Sequence, residues 1–133
     1  MNQKFSHAIL ISVVLFAGSS IAQEGLPIRG PDYFRDASDL ATVLGSAHGV
    51  RVTCNGESDQ YWRKYMADML GFEAPNRGSL RTGLVQNFNQ AYISAREDYP
   101  HCNGRAVEAE ARFAKDGKNI ASRMAQHYFP KPQ

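Results

Sequence analysis

The chain has 133 residues, with 15 Lys and Arg against 13 Asp and Glu and a formal net charge of +2. That length allows one domain with a modest core and excludes a large multidomain machine. The charges are mixed along the chain rather than massed, which argues against nucleic acid as a partner.

The first 22 residues read as a leader. Lys4 and His7 precede the apolar run Ala8 to Ala17, and small residues follow as far as Ser20-Ile21-Ala22. This order predicts a secretory signal peptide cut after Ala22 and a protein exported to the periplasm. The apolar run is shorter than the about 20 residues of a spanning helix, so no transmembrane segment is expected after cleavage. Cleavage leaves 111 residues from Gln23, with 14 basic and 13 acidic side chains.

Residues 23–31 contain two prolines and two glycines and predict an extended lead-in. A first helix is expected from Asp32 to Thr53. Leu40, Val43, Leu44, Ala47 and Val50 form its apolar stripe, and Asn55-Gly56 ends it. Ser58 is the expected cap of a second helix, with Asp59 in its first turn. Tyr61, Trp62, Tyr65, Met69 and Leu70 form the second stripe, and Gly71 is its expected stop. The third helix, Ser79 to Asp98, carries Leu80, Leu84, Phe88, Ala91, Tyr92 and Ala95 on one face. Pro100 prevents its continuation. Asn103 is placed to cap a fourth helix, Gly104 to Tyr128, with Val107, Ala111, Ala114, Ala121 and Met124 inward. Phe113 and Ile120 would widen that face. The domain spans 32–129, and Pro130 and Pro132 mark a tail at 130–133. No segment alternates as a strand does. The expected fold is all-α, an antiparallel four-helix bundle of two helical hairpins.

The two cysteines both sit in the triplet Cys-Asn-Gly. Cys54 falls between the first and second helices and Cys102 between the third and fourth. An up-down-up-down bundle places those connections at one end. Export favours a disulfide, so a Cys54–Cys102 staple is expected. The segment Ser46 to Gly56 also aligns without gaps to Ser94 to Gly104, with five of eleven positions identical. Such a match arises either from duplication of a hairpin or from one good inter-helix turn used twice, and two copies favour the second account.

Motifs for chemistry are sparse. His101 adjoins Cys102 and His48 precedes Cys54 by six residues, but no close Cys or His pair has zinc-ligand spacing. No metal, cofactor or catalytic residue is assigned. His48 reads as a hydrogen-bonded, partly buried side chain, and His127 as a cation in a last helical turn. Glu108 and Glu110 are too close along one helix to face each other as a catalytic pair. The aromatic residues Tyr61, Trp62, Tyr65, Phe72, Phe88, Tyr92 and Tyr99 are expected mostly in the core. Tyr61 and Trp62 are adjacent and cannot point the same way. If Tyr61 or Tyr65 turns inward, Trp62 reaches the rim. The candidate binding surface is therefore Trp62, Arg63, Arg51, Lys64 and Tyr61.

The stretch Leu40 to Cys54 (LATVLGSAHGVRVTC), then YWRKYM at 61–66, GFEA at 71–74, FNQAY at 88–92 and YPHC at 99–102 carry a resemblance. The chain resembles a family of small exported alphaproteobacterial proteins of unknown function. The resemblance implies a periplasmic helical domain and no particular activity. Together these readings lead to a periplasmic, non-catalytic binding or accessory protein, a scaffold factor whose partner is another envelope protein. The alternatives are a small envelope enzyme acting on peptidoglycan and a small-ligand or metal carrier.

Overall fold

The structure is a computed structural model that describes residues 29–129. The expected leader, most of the lead-in and the proline tail lie outside the described residues. Four helices follow in order: α1 Pro31–Asn55, α2 Tyr61–Glu73, α3 Ser79–Asp98 and α4 Gly104–Tyr128. Among the described residues there is no strand, and no helix is long and apolar enough to cross a membrane.

The helix ends follow local chemistry. Pro31 opens α1, where its missing N–H costs nothing. Gly56 closes it with φ +92°, a conformation that favours glycine. The cap of α2 differs from expectation. Ser58 is exposed, and it is Asp59 whose Oδ1 accepts the backbone N–H of Tyr61 at 3.0 Å. Gly71 does not stop α2 either, and the helix runs to Glu73. One glycine costs a helix only about 1 kcal/mol, whereas Pro75 bars the helical conformation at Ala74, which takes φ −143° and ψ 60°. Asn103 caps α4 as expected, its side chain accepting the Ala106 N–H at 3.0 Å. The repeated triplet thus does opposite jobs: Asn55-Gly56 ends a helix, and Asn103-Gly104 begins one.

The bundle keeps alternating helix directions, but α1 is its hub. It packs against all three other helices, most extensively against α3 and α4. α1 and α3, the diagonal pair of a regular bundle, lie side by side and run parallel. Gly45 and Gly49 make this possible. A Cβ at Gly45 would collide with the carbonyl oxygen of Phe88, and one at Gly49 with that of Tyr92. Small residues let backbones approach where a larger side chain would hold them apart. The main core joins Tyr33, Ala37, Ala41 and Leu44 of α1 to Met66, Met69 and Leu70 of α2, Leu84 and Phe88 of α3, and Met124 of α4. A second, alanine-rich cluster of Val50, Ala95, Ala106 and Ala109 lies against Cys54.

That cluster sits beside the staple. Cys54 and Cys102 are disulfide-bonded, with Cα atoms 4.7 Å apart. At the other end of the bundle, Asp36 fixes α1 to α4. Its carboxylate accepts from Arg123 Nη2 at 2.8 Å and from the Tyr128 hydroxyl at 3.1 Å. The Arg123 hydrogen bond, chiefly, holds the Asp36 carboxyl below its ordinary range.

The inward face of α4 is not the expected one. Ala106, Ala109, Gly117 and Met124 are buried, while Val107, Ala111 and Ala121 are exposed. α4 meets α1 but not α3, so only a narrow strip of it is covered. The aromatic core is also smaller than expected. Of the seven residues named for it, only Phe88 is fully buried; Tyr61, Tyr65 and Phe72 are exposed. Tyr33, outside that set, is the largest fully buried side chain.

Candidate functional site: an apolar groove between α2 and α4

α2 and α4 both lie on α1, and their backbones do not pack against each other. The gap between them is a groove of about 530 Å³. Leu40, Val43, Leu44 and Ala47 form its floor. Trp62, Tyr65 and Met69 stand on the α2 wall, and Phe113, Ala114 and Ala121 on the α4 wall. Gly117 of α4 lies on the floor, where an ideal Cβ would stand in ordinary contact with Val43 at 3.4 Å. The charged side chains lining the groove are Asp68 on α2 and Lys118 on α4. Ala114 and Ala121, expected as core, form one wall of this groove. The apolar stripe of α4 is real, but part of it faces an opening rather than another helix.

One end of the groove, next to the staple, is strapped across. Trp62 Nε1 donates to Glu110 Oε1 at 2.9 Å, which ties α2 to α4. Arg51 Nη1 donates to the same Glu110 oxygen at 3.1 Å. Its Nε donates to Asp59 Oδ1 at 3.0 Å, and Asn55 Nδ2 donates to Asp59 Oδ2 at 2.7 Å. The Tyr61 backbone N–H, then Asn55 and Arg51, hold the Asp59 carboxyl down at about 2. Asp59 in turn raises the already high pKa of Arg51. The Arg51 guanidinium lies over the Tyr61 ring, 4.6 Å from its centroid. Tyr61, Trp62 and Tyr65 form an aromatic trio with centroids 4.9–5.4 Å apart.

The structure therefore brings Arg51, Tyr61 and Trp62 into one network next to the Cys54–Cys102 bond. Arg63 and Lys64 stay exposed on α2, outside it. The expectation for Tyr61 and Tyr65 is overturned: they are 46% and 50% exposed, and Met66 is the inward residue. Trp62 is half-buried, its ring on the groove and its N–H on Glu110. Glu110 is the residue sequence reasoning missed. A signal for it exists. Trp62 and Glu110 are separated by 48 positions, as are Cys54 and Cys102, so the pair continues the offset of the gapless alignment beyond its end. Beyond this end the hairpins pack differently, because α4 lies along α1 while α2 touches α3 only slightly.

His48 stands apart from the groove. It is 2% exposed and lies against Phe88 and Tyr92, with centroids 5.7 and 5.2 Å away. Contrary to expectation, its Nδ1 has no hydrogen-bond partner among the described residues. Burial, then the Arg63 charge, pushes its pKa below the ordinary 6.5, which favours the neutral ring. Among the described residues no group of three or more His, Cys, Asp or Glu is arranged to hold a metal ion.

Residues 32–128 match a family described as a protein of unknown function, DUF2385, and the chain belongs to that family. Comparison with curated proteins and with solved structures returns no match.

Proposed function

We propose that this member of the DUF2385 family is an exported, non-catalytic binding module of the cell envelope, with the groove between α2 and α4 as its recognition site. The groove itself carries the reading. It is apolar, rests on the hub helix, and has its two walls tied together at one end by the Trp62–Glu110 strap. A preformed site loses little entropy on binding. Its volume falls within the about 300–1,000 Å³ of small-molecule sites, which favours a carrier of an apolar guest. The exposed rings of Tyr61 and Tyr65, with Arg63 and Lys64 beside them, suit contact with an envelope protein. Export rests on the leader-like order of residues 1–22 and on the disulfide, a bond that persists in oxidising compartments.

Native mass spectrometry of the protein isolated from periplasm tests this. The expected species begins at Gln23 and carries a bound guest or partner. Ala121→Phe, at an exposed position on the groove wall, should remove that bound mass and leave the fold intact. An intact Met1 would overturn export, and identical bound masses in wild type and variant would overturn the groove as the site.

A further inference from the structure

The lining of the groove narrows the class of guest. We propose that it takes a single-chain anionic amphiphile, with the hydrocarbon chain along the α1 floor and the anionic head beside Lys118. This inference rests on the groove being the binding site.

The first argument is what the interior lacks. Leu40, Val43, Leu44, Met69 and Phe113 offer no hydrogen-bonding group. The indole N–H of Trp62 is already given to Glu110, and the remaining polar groups of the lining, the Tyr65 hydroxyl, Asp68 and Lys118, are on exposed side chains. A sugar, a nucleotide or an extended peptide would bury polar groups there without partners, at about 1–3 kcal/mol for each. A hydrocarbon chain has none to satisfy.

The second argument is shape. The α4 wall runs from Phe113 to Ala121, a rise of about 12 Å at 1.5 Å per residue. The site is thus elongated along α4, bounded by Trp62 and its bond to Glu110 towards the staple, with Leu40 and Ala121 at the far end. A linear chain fits such a trough with its tail against Trp62.

The third argument is charge. Lys118 lines the groove on α4, is exposed, and takes part in no ion pair among the described residues. Lys115 is exposed three residues earlier on the same helix. Asp68 stands on the opposite wall and is also outside those ion pairs. It repels an anion on the α2 side and so confines the head to the α4 side. Head and tail are thereby oriented: charge beside Lys118, hydrocarbon at the strap.

The protein carries its own reporter, since Trp62 is the single tryptophan of the chain. Disulfide-bonded protein, freed of bound material, is titrated with dodecanoate below its micelle concentration, while Trp62 emission and calorimetric heat are followed. One equivalent should bind saturably and shift the emission. Ala121→Phe should weaken binding at least tenfold with an unchanged thermal midpoint. Lys118→Glu should weaken dodecanoate about tenfold and strengthen dodecyltrimethylammonium. The absence of a saturable response, or an affinity for dodecanoate unmoved by either substitution, overturns the proposal. If dodecanoate fails while Ala121→Phe still strips a bound mass from the periplasmic protein, the amphiphile is wrong and the binding module stands. If both fail, both readings fall.

Discussion

A methyl group is the smallest probe of packing, and two glycines respond to it in opposite ways. At Gly45 the new Cβ meets the backbone carbonyl of Phe88, which cannot rotate aside as a side chain can. Gly45→Ala should therefore cost about 3 kcal/mol, the upper part of the overpacking range, with a lower urea midpoint as the readout. At Gly117 the same methyl reaches Val43 at 3.4 Å and Leu40 at 3.8 Å, ordinary contact distances. Gly117→Ala should stabilise by up to about 1 kcal/mol through helix propensity. His48 supplies a pH dependence at the same scale. Its folded pKa lies below the ordinary 6.5, so the unfolded chain binds the proton more readily. Stability should be full above pH 6.5 and fall as the pH drops from there towards the folded value. His48→Phe keeps a planar ring against Phe88 and Tyr92 and should flatten that part of the profile in chemical-denaturation series.

Between elements, the ties that hold the helices include the disulfide, the Asp36 clamp and the Trp62–Glu110–Arg51 strap. The disulfide closes a separation of 48 residues, worth about 4 kcal/mol from loop-closure entropy. Cys54→Ser and Cys102→Ser should lose similar amounts, in both cases at most that figure. Asp36→Asn leaves Arg123 and Tyr128 without a carboxylate. Arg123 is half open to water, so the expected loss is about 1–3 kcal/mol. The sign with pH follows from the lowered Asp36 pKa. Its contribution is whole above the ordinary 3.8 and disappears as pH falls through the folded value, so Asp36→Asn should blunt acid unfolding.

Helix existence and type were readable along the chain because each stripe keeps a helical period over several turns. α3 matched to the residue at both ends, where Gly78-Ser79 and Pro100 punctuate it. What periodicity does not encode is how many sides of a helix are covered. Gly45, Ala47, His48, Gly49 and Val50 are all buried because α1 has neighbours on several sides. Ala121 has none, although it lies on a clean apolar stripe. The disulfide was legible because two connections at one end constrain the cysteines more than their local sequence does. Glu110 was not, because a carboxylate on a helix surface looks the same whether it meets water or an indole N–H from a helix 48 residues away.

At the level of the whole molecule, the hub position of α1 governs the order in which the chain can become structured. α1 is made first, yet the helices that cover most of it are the last two. Until α4 is complete, Tyr33, Ala37 and Ala41 have no full enclosure, and the Asp36 carboxylate lacks both Arg123 and Tyr128. Contacts of such sequence separation close late. A nascent chain shorter than about residue 120 thus lacks the Asp36 clamp and the α4 cover of α1. A polypeptide ending at Asn103 should unfold without a cooperative transition in urea. A sharp transition in that fragment would show that the first three helices suffice. The helix that organises the finished protein is, during its manufacture, the one that waits.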